Sequence, residues 1–282
     1  VMGDVTDENA PGNAWLIADD WPPLPYTTTS FYFHKDGSLS TEMASSDSIT
    51  FTYNPKRPAP TLGGQNLYIA KGPYDQRLIE NRDDVIVFTT DSLDEPVWVT
   101  GRIKAMLYVS SDCPDTDFTV KICDVYPDGR SMLITDGILR MRNRNGFDHW
   151  EFMEAGKVYE IEVDLWSTAY IWNKGHKIRV EVSSSNAPRF LANPNTRAPI
   201  ASDGETKIAH NTLYFGNAYP SCILLPVVTG AEFQHEASKA STCLNYLIKK
   251  SRAKLLSKLS ILPDKIVEDF MEELSKNYYD DL

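Results

Sequence analysis

The stretch TDFTVKICDVYPDGRSMLITDGILRMR, residues 116–142, gathers the residue types that do chemistry: aspartates, a Pro-Asp-Gly turn and arginines. Upstream, Asp112, Asp115 and Asp117 in SDCPDTD are spaced like calcium ligands. An EF-hand also needs glycine at its sixth position and glutamate at its twelfth, and both are missing. These carboxylates are therefore expected to cap the loop entering a strand, a common use of Asp. Arg140, Arg142 and Arg144 alternate with Leu139, Met141 and Asn143. On a strand that places all three guanidiniums on one face. Such a row can bind an anion or pair with acids of an adjoining domain; a solvated face is the expectation here.

Covalent catalysis finds no signature. There is no G-x-S-x-G, so the strained elbow that exposes a hydrolase serine is missing. None of the five histidines sits in an H-E-x-x-H pattern. A Ser-His-Asp triad is a matter of geometry, which chain order leaves open. The expectation is a chain with no catalytic residue, no metal and no cofactor of its own. Cys113, Cys123, Cys222 and Cys243 form no C-x-x-C pair, so they read as free thiols in a reducing compartment, which points to the cytoplasm.

Composition bounds the partners. The chain has 282 residues, 42% of them hydrophobic and 11% aromatic, enough for a substantial core. With 28 basic and 39 acidic residues it carries a formal charge of −11, which argues against nucleic acid. No apolar run reaches the roughly 18 residues of a membrane span, so no membrane partner is expected. Lys249, Lys250, Arg252, Lys254 and Lys258 make one stretch locally basic, read as a solvated helix face.

The elements that would position these residues are strands. In VYEIEVDL (158–165), Tyr159, Ile161, Val163 and Leu165 alternate with Glu160, Glu162 and Asp164, the period-two signature of a sheet with one wet face. KIRVEVS (177–183), residues 103–109 and residues 118–122 repeat it. Tyr126-Pro127-Asp128-Gly129 and Asn173-Lys174-Gly175 supply turns between strands. Short strands from Ile49 to Val228 without interleaved helices predict a mainly β fold, an antiparallel jelly-roll sandwich over 49–230. Residues 1–48, interrupted by Pro11, Pro22, Pro23 and Pro25, are expected to be an extended arm or junction packing on the sandwich. The opening VMGDVTDENAPGNAW, with neither an initiator Met nor a charged leader, reads as a chain cut from something longer. From 231 to 282 the apolar spacing becomes helical, with Ile266, Phe270 and Leu274 four apart. Pro263 divides this tail into expected helices at 236–259 and 264–276, candidates for oligomer contacts.

Several long motifs together resemble one family. TYNPKRPAPTLGG (52–64), GPYDQR (72–77), residues 95–142 and GHKIRVEVSSSNAPRF (175–190) are similar to the C-terminal domain of the X-Pro dipeptidyl-peptidase/cocaine esterase (CocE/NonD) serine hydrolases. The resemblance covers about residues 1–229 and implies a galactose-binding-like jelly roll. It also implies an α/β-hydrolase domain upstream as partner, carrying the Ser-Asp-His triad. On that reading residues 116–142 are scaffold. In the esterase branch the loop after a Gly-Gly pair reaches toward the acyl pocket; the matching residues are Leu67 and Tyr68, after Gly63-Gly64. They would line an acyl or proline pocket or fill the domain interface. Gln65 and Asn66 stand where that motif suggests an apolar residue. The alternative is a free-standing carbohydrate-binding module with a platform drawn from Trp150, Trp166 and Trp172, although each is expected in the core.

Overall fold

The computed structural model describes residues 1–228 apart from 5, 8, 9, 17 and 201–203. The expected tail helices at 236–259 and 264–276 lie outside the described residues. The chain divides into two units. Val1–Asn13 with Ala18–Gly230 form the body described below; Ala14–Ile17 with Ala231–Leu282 form the other, of which few residues are described.

The body is mainly β. Its strands are β1 (Tyr26–Phe33), β2 (Leu39–Ser40), β3 (Asp47–Tyr53), β4 (Val85–Thr89), β5 (Val97–Ser111) and β6 (Asp117–Val125). They continue with β7 (Ser131–Arg140), β8 (Tyr159–Trp172), β9 (Lys177–Ser183), β10 (Ala209–Phe215) and β11 (Cys222–Val228). The larger sheet runs β2-β1-β11-β5-β10-β3, with β8 also paired to β5; the smaller runs β4-β9-β6-β7. Every strand pair is antiparallel. Among the described residues no helix is long and apolar enough to cross a membrane.

The alternation read from sequence places the core. Ile103, Ala105, Leu107 and Val109 of β5, Phe118, Val120 and Ile122 of β6, and Ile178, Val180 and Val182 of β9 lie buried in one cluster between the sheets. Ile161, Val163 and Leu165 of β8 join them, while Glu160 and Glu162 stay exposed. Aromatic rings tie the layers together. Phe88 of the smaller sheet stacks on Phe33 of the larger at 4.6 Å and meets Phe215 edge-on at 5.8 Å. Pairs of this kind contribute about 0.5–1.5 kcal/mol beyond their buried area.

Two features differ from the period-two reading. Residues 1–48 do more than skirt the sandwich, because β1 is hydrogen-bonded to β11 along its length. Near the N-terminus, the Met2 amide donates to the Ala169 carbonyl at 2.8 Å, and the Ile171 amide donates to the Met2 carbonyl at 2.9 Å. The outer face of the smaller sheet is also dry: Thr119, Lys121 and Glu181, at positions that look solvent-facing in sequence, are buried. The crossing segment 54–82 covers them, held by Thr61 N to Ala187 O at 2.6 Å and Gln76 N to Ser131 O at 2.8 Å.

Candidate functional site

The loop expected to carry a binding role begins where only glycine fits. Gly63, Gly64 and Gly72 have φ of 69°, 91° and 111°, in the left-handed region. A Cβ on Gly63 would sit 2.5 Å from the Gly72 carbonyl oxygen. Freed of that obstacle, Gly64 and Gly72 exchange two backbone hydrogen bonds, N to O at 2.8 and 3.1 Å, which close the loop at its base. The Asn66 carboxamide turns inward and donates to the carbonyls of Gly63 and Ala70. Asn66, noted as polar where an apolar residue was expected, is therefore a buried staple of the loop. Below it, Gln76 Nε2 donates to the carbonyls of Leu62 and Tyr74 at 2.8 and 2.9 Å, and its Oε1 accepts from Lys121 Nζ at 2.9 Å. The tip is left to solvent: Leu67 is 86% exposed and Tyr68 98%.

The arginine row is not a solvated face. β7 ends at Arg140, and Met141–Asn143 turn as a 3-10 helix, so the three guanidiniums part company. Arg140 forms a two-pronged pair with Asp117 at 2.9 and 2.8 Å. Arg142 pairs with Asp115 at 2.7 Å with both side chains buried, and its backbone amide donates to the same carboxylate at 2.8 Å. Asn193 Nδ2 bridges the two acids, donating to Asp115 at 2.7 Å and Asp117 at 2.8 Å. Arg142 Nη2 donates to the carbonyls of Thr196 and Ala198 at 2.8 and 2.9 Å. Arg144 pairs with Glu151 at 3.2 Å. Burial alone would lower the Arg140 guanidinium, but its bonds to Asp117 outweigh this and hold it above its ordinary value. Asp115 and Asp117, expected as loop caps, are instead the counter-charges of the arginines, while Asp112 accepts from the His210 amide at 2.8 Å.

The remaining reactive groups are dispersed. His34 Nε2 lies 3.0 Å from Ser40 Oγ. His176 Nδ1 lies 2.8 Å from Asp124, which also accepts from Tyr170 Oη at 2.9 Å. His149 sits between Asp148 and Glu151. Among the described residues, no histidine joins a nucleophile to an orienting acid. Among the described residues, Glu80, Cys123 and Glu181 are grouped like metal ligands, with donor atoms within 4.8 Å of one another. Two cations already compensate the group, Arg179 on Glu80 and Lys121 on Glu181. Burial, then the charge of Glu181, pushes the Cys123 thiol well above its ordinary value, away from the thiolate a metal needs. Of the three tryptophans named as platform candidates, Trp172 is fully buried, whereas Trp150 and Trp166 are 52% and 60% exposed and so do not lie in the core. Trp150 covers the Arg142 guanidinium at 4.8 Å.

Two antiparallel sheets, charge-compensated polar clusters and a loop closed at its base with an exposed tip define a β-sandwich domain. The chain belongs to the family of X-Pro dipeptidyl-peptidase C-terminal non-catalytic domains, whose model matches residues 3–224. It is 42% identical over 229 residues to the cocaine esterase of Rhodococcus sp. (strain MB1 Bresler), covering 76% of this chain and 40% of the esterase. A crystal structure of an aminopeptidase from a marine sediment Thaumarchaeota archaeon superposes with a TM-score of 0.71 at 30% identity, over 77% of this chain and 39% of that one. An α-amino acid ester hydrolase superposes with a TM-score of 0.66 at 26% identity, over 71% and 36%. The chain thus spans some 40% of the length of these relatives.

Proposed function

We propose that this chain is the scaffold-forming, jelly-roll part of a CocE/NonD-type serine hydrolase acting on esters or X-Pro peptides. Its sandwich has the galactose-binding-like strand arrangement, and its partner is an α/β-hydrolase domain that carries serine, histidine and acid. In the intact enzyme the serine attacks the carbonyl with histidine as base, and Leu67 and Tyr68 close part of the acyl or proline pocket. An apolar pair there excludes water and strengthens the electrostatic stabilisation offered by the neighbouring oxyanion site. The observation that carries this reading is the closed Gly64–Gly72 loop: it holds two large apolar side chains 86% and 98% exposed on a stapled base, a costly arrangement for a domain with nothing to touch. The 42% identity to a protein named cocaine esterase favours ester substrates.

The test is a chimaera in which this chain replaces the matching part of the Rhodococcus esterase. The chimaera should hydrolyse p-nitrophenyl esters, and the isolated chain should not. Hydrolysis by the pure chain, abolished by a serine-directed inhibitor, would refute the proposal. A carbohydrate-binding role has two exposed candidate platforms, Trp166 at 60% and Trp150 at 52%, the latter with the Arg142 guanidinium over its ring. A glycan array without hits removes it.

A further inference from the structure

The segment after the 3-10 turn holds Asn145-Gly146, the one Asn-Gly pair in the chain. Asn145 is exposed. Gly146 has a φ of 141°, and a Cβ there would lie 2.9 Å from Asp148 Oδ1. The turn therefore demands glycine, and the same missing side chain leaves the Gly146 nitrogen open to the neighbouring carboxamide. Its amide donates to the Asn143 carbonyl at 3.1 Å, the closing bond of a surface turn. Such solvent-facing bonds open locally at little cost. The carboxamide itself is held in place. Asn145 Nδ2 donates to Glu151 Oε2 at 2.8 Å, and Arg144 Nη2 donates to the same oxygen at 3.2 Å. The other oxygen, Oε1, lies 2.8 Å from His149 Nε2. Glu151 thus gathers three side chains of this segment. Its bond, followed by that of Asp148, holds the His149 ring above its ordinary value, and His149 in turn holds Glu151 below its own.

We propose that Asn145 is a site of spontaneous modification, converting through a cyclic imide to aspartate and isoaspartate. The Gly146 nitrogen attacks Asn145 Cγ. The N–Cγ bond forms, the Cγ–Nδ2 bond breaks, and the Gly146 amide proton departs with the Nδ2 group as ammonia. Water then opens the ring. Addition at Cγ breaks the new N–Cγ bond and leaves aspartate. Addition at the main-chain carbonyl breaks the peptide C–N bond and leaves isoaspartate, joined to Gly146 through Cγ. Nothing is oxidised or reduced, and water is the only co-reactant. Either product sets a carboxylate where a donor faced Glu151, and like charges at that distance repel. Glu151 is pushed off, and its hold on Arg144 and His149 loosens. Isoaspartate also lengthens the main chain within the segment that leads to Trp150, whose ring covers the Arg142 guanidinium at 4.8 Å. The modification therefore unsettles the cover of the buried Arg142–Asp115 pair. This site is independent of the reaction the intact protein catalyses.

The experiment ages the full, folded chain in mildly alkaline buffer and maps its peptides by mass spectrometry. Isoaspartate is read as methyl transfer by an isoaspartyl O-methyltransferase. Conversion at Asn145 should run at least about tenfold faster than at Asn81 or Asn143, whose following arginines shield the main-chain nitrogen. Asn145→Gln, which would have to close a larger ring, should lose methyl acceptance at that position. The same chain unfolded in guanidinium is the reference. Conversion at Asn145 in the unfolded chain alone would mean that the fold protects the pair, and would overturn the proposal. So would methyl acceptance that maps to another residue or persists in Asn145→Gln. Asn145→Asp reproduces one product directly and should speed hydrogen exchange several-fold across residues 142–151 with the thermal melt unchanged. Unchanged exchange in that variant would overturn the consequence assigned to Glu151.

Discussion

Arg142 and Asp115, 27 residues apart in sequence, meet at 2.7 Å with side chains 1% and 0% exposed. The pair joins the 3-10 turn after β7 to the loop before β6, and Asn193 ties it to the neighbouring pair of Arg140 and Asp117. Removing one partner leaves a buried charge with no counter-charge, which costs about 3–5 kcal/mol. Arg142→Met should lower stability by that amount in urea titrations. The double variant Arg142→Met/Asp115→Leu should recover a large part of the loss, because no orphaned charge remains.

The loop base offers a backbone test. Gly63 adopts a φ of 69°, and a Cβ there would sit 2.5 Å from the Gly72 carbonyl oxygen. Gly63→Ala should destabilise by more than about 1 kcal/mol, since strain adds to the clash. Asn66→Ala removes two donors to backbone carbonyls and should cost about 1 kcal/mol or less globally. Its larger effect should be local: faster hydrogen exchange across residues 64–72 with little change in Tm.

Leu67 and Tyr68 separate function from stability. At 86% and 98% exposure they contribute almost nothing to the fold of this chain. Leu67→Ala and Tyr68→Ala should change stability by less than about 0.5 kcal/mol. In the chimaera each should raise KM for aryl esters several-fold, read from steady-state kinetics.

Acid stability should report the Arg102–Asp164 pair across β5 and β8. The Arg102 hydrogen bonds hold the Asp164 carboxyl below its ordinary value of 3.8. A carboxyl whose folded pKa is depressed adds stability above its unfolded pKa, and that contribution fades as pH falls through the folded value. Asp164→Asn should therefore be less stable than the parent at pH 7, with the difference closing below about pH 4. Urea midpoints at pH 7 and pH 3 check the sign.

The Gly-Gly loop was picked out through the family resemblance rather than from the residues themselves; the structure adds that both glycines adopt left-handed φ values. Its staple was not legible. Asn66 stood out only as a polar residue where an apolar one was expected, and nothing in its neighbours shows that the carboxamide turns back onto Gly63 and Ala70. Tyr26–Phe33 could have been read as a strand from its run of threonines and aromatics, but the prolines before it masked the signal.

Strand identity in β8 and β9, the turn at Pro127-Asp128-Gly129 and the sandwich class followed from sequence alone. Those features rest on local periodicity and turn chemistry, which neighbouring residues carry by themselves. Tertiary structure alone decided that Thr119, Lys121 and Glu181 are buried, because a distant segment, 54–82, closes over the outer face of the smaller sheet. It also decided that Arg140 and Arg142 turn inward to Asp117 and Asp115, while Arg144 goes to Glu151. A charged side chain is read as solvated until its counter-charge is known, and that partner is chosen by how the chain folds back on itself.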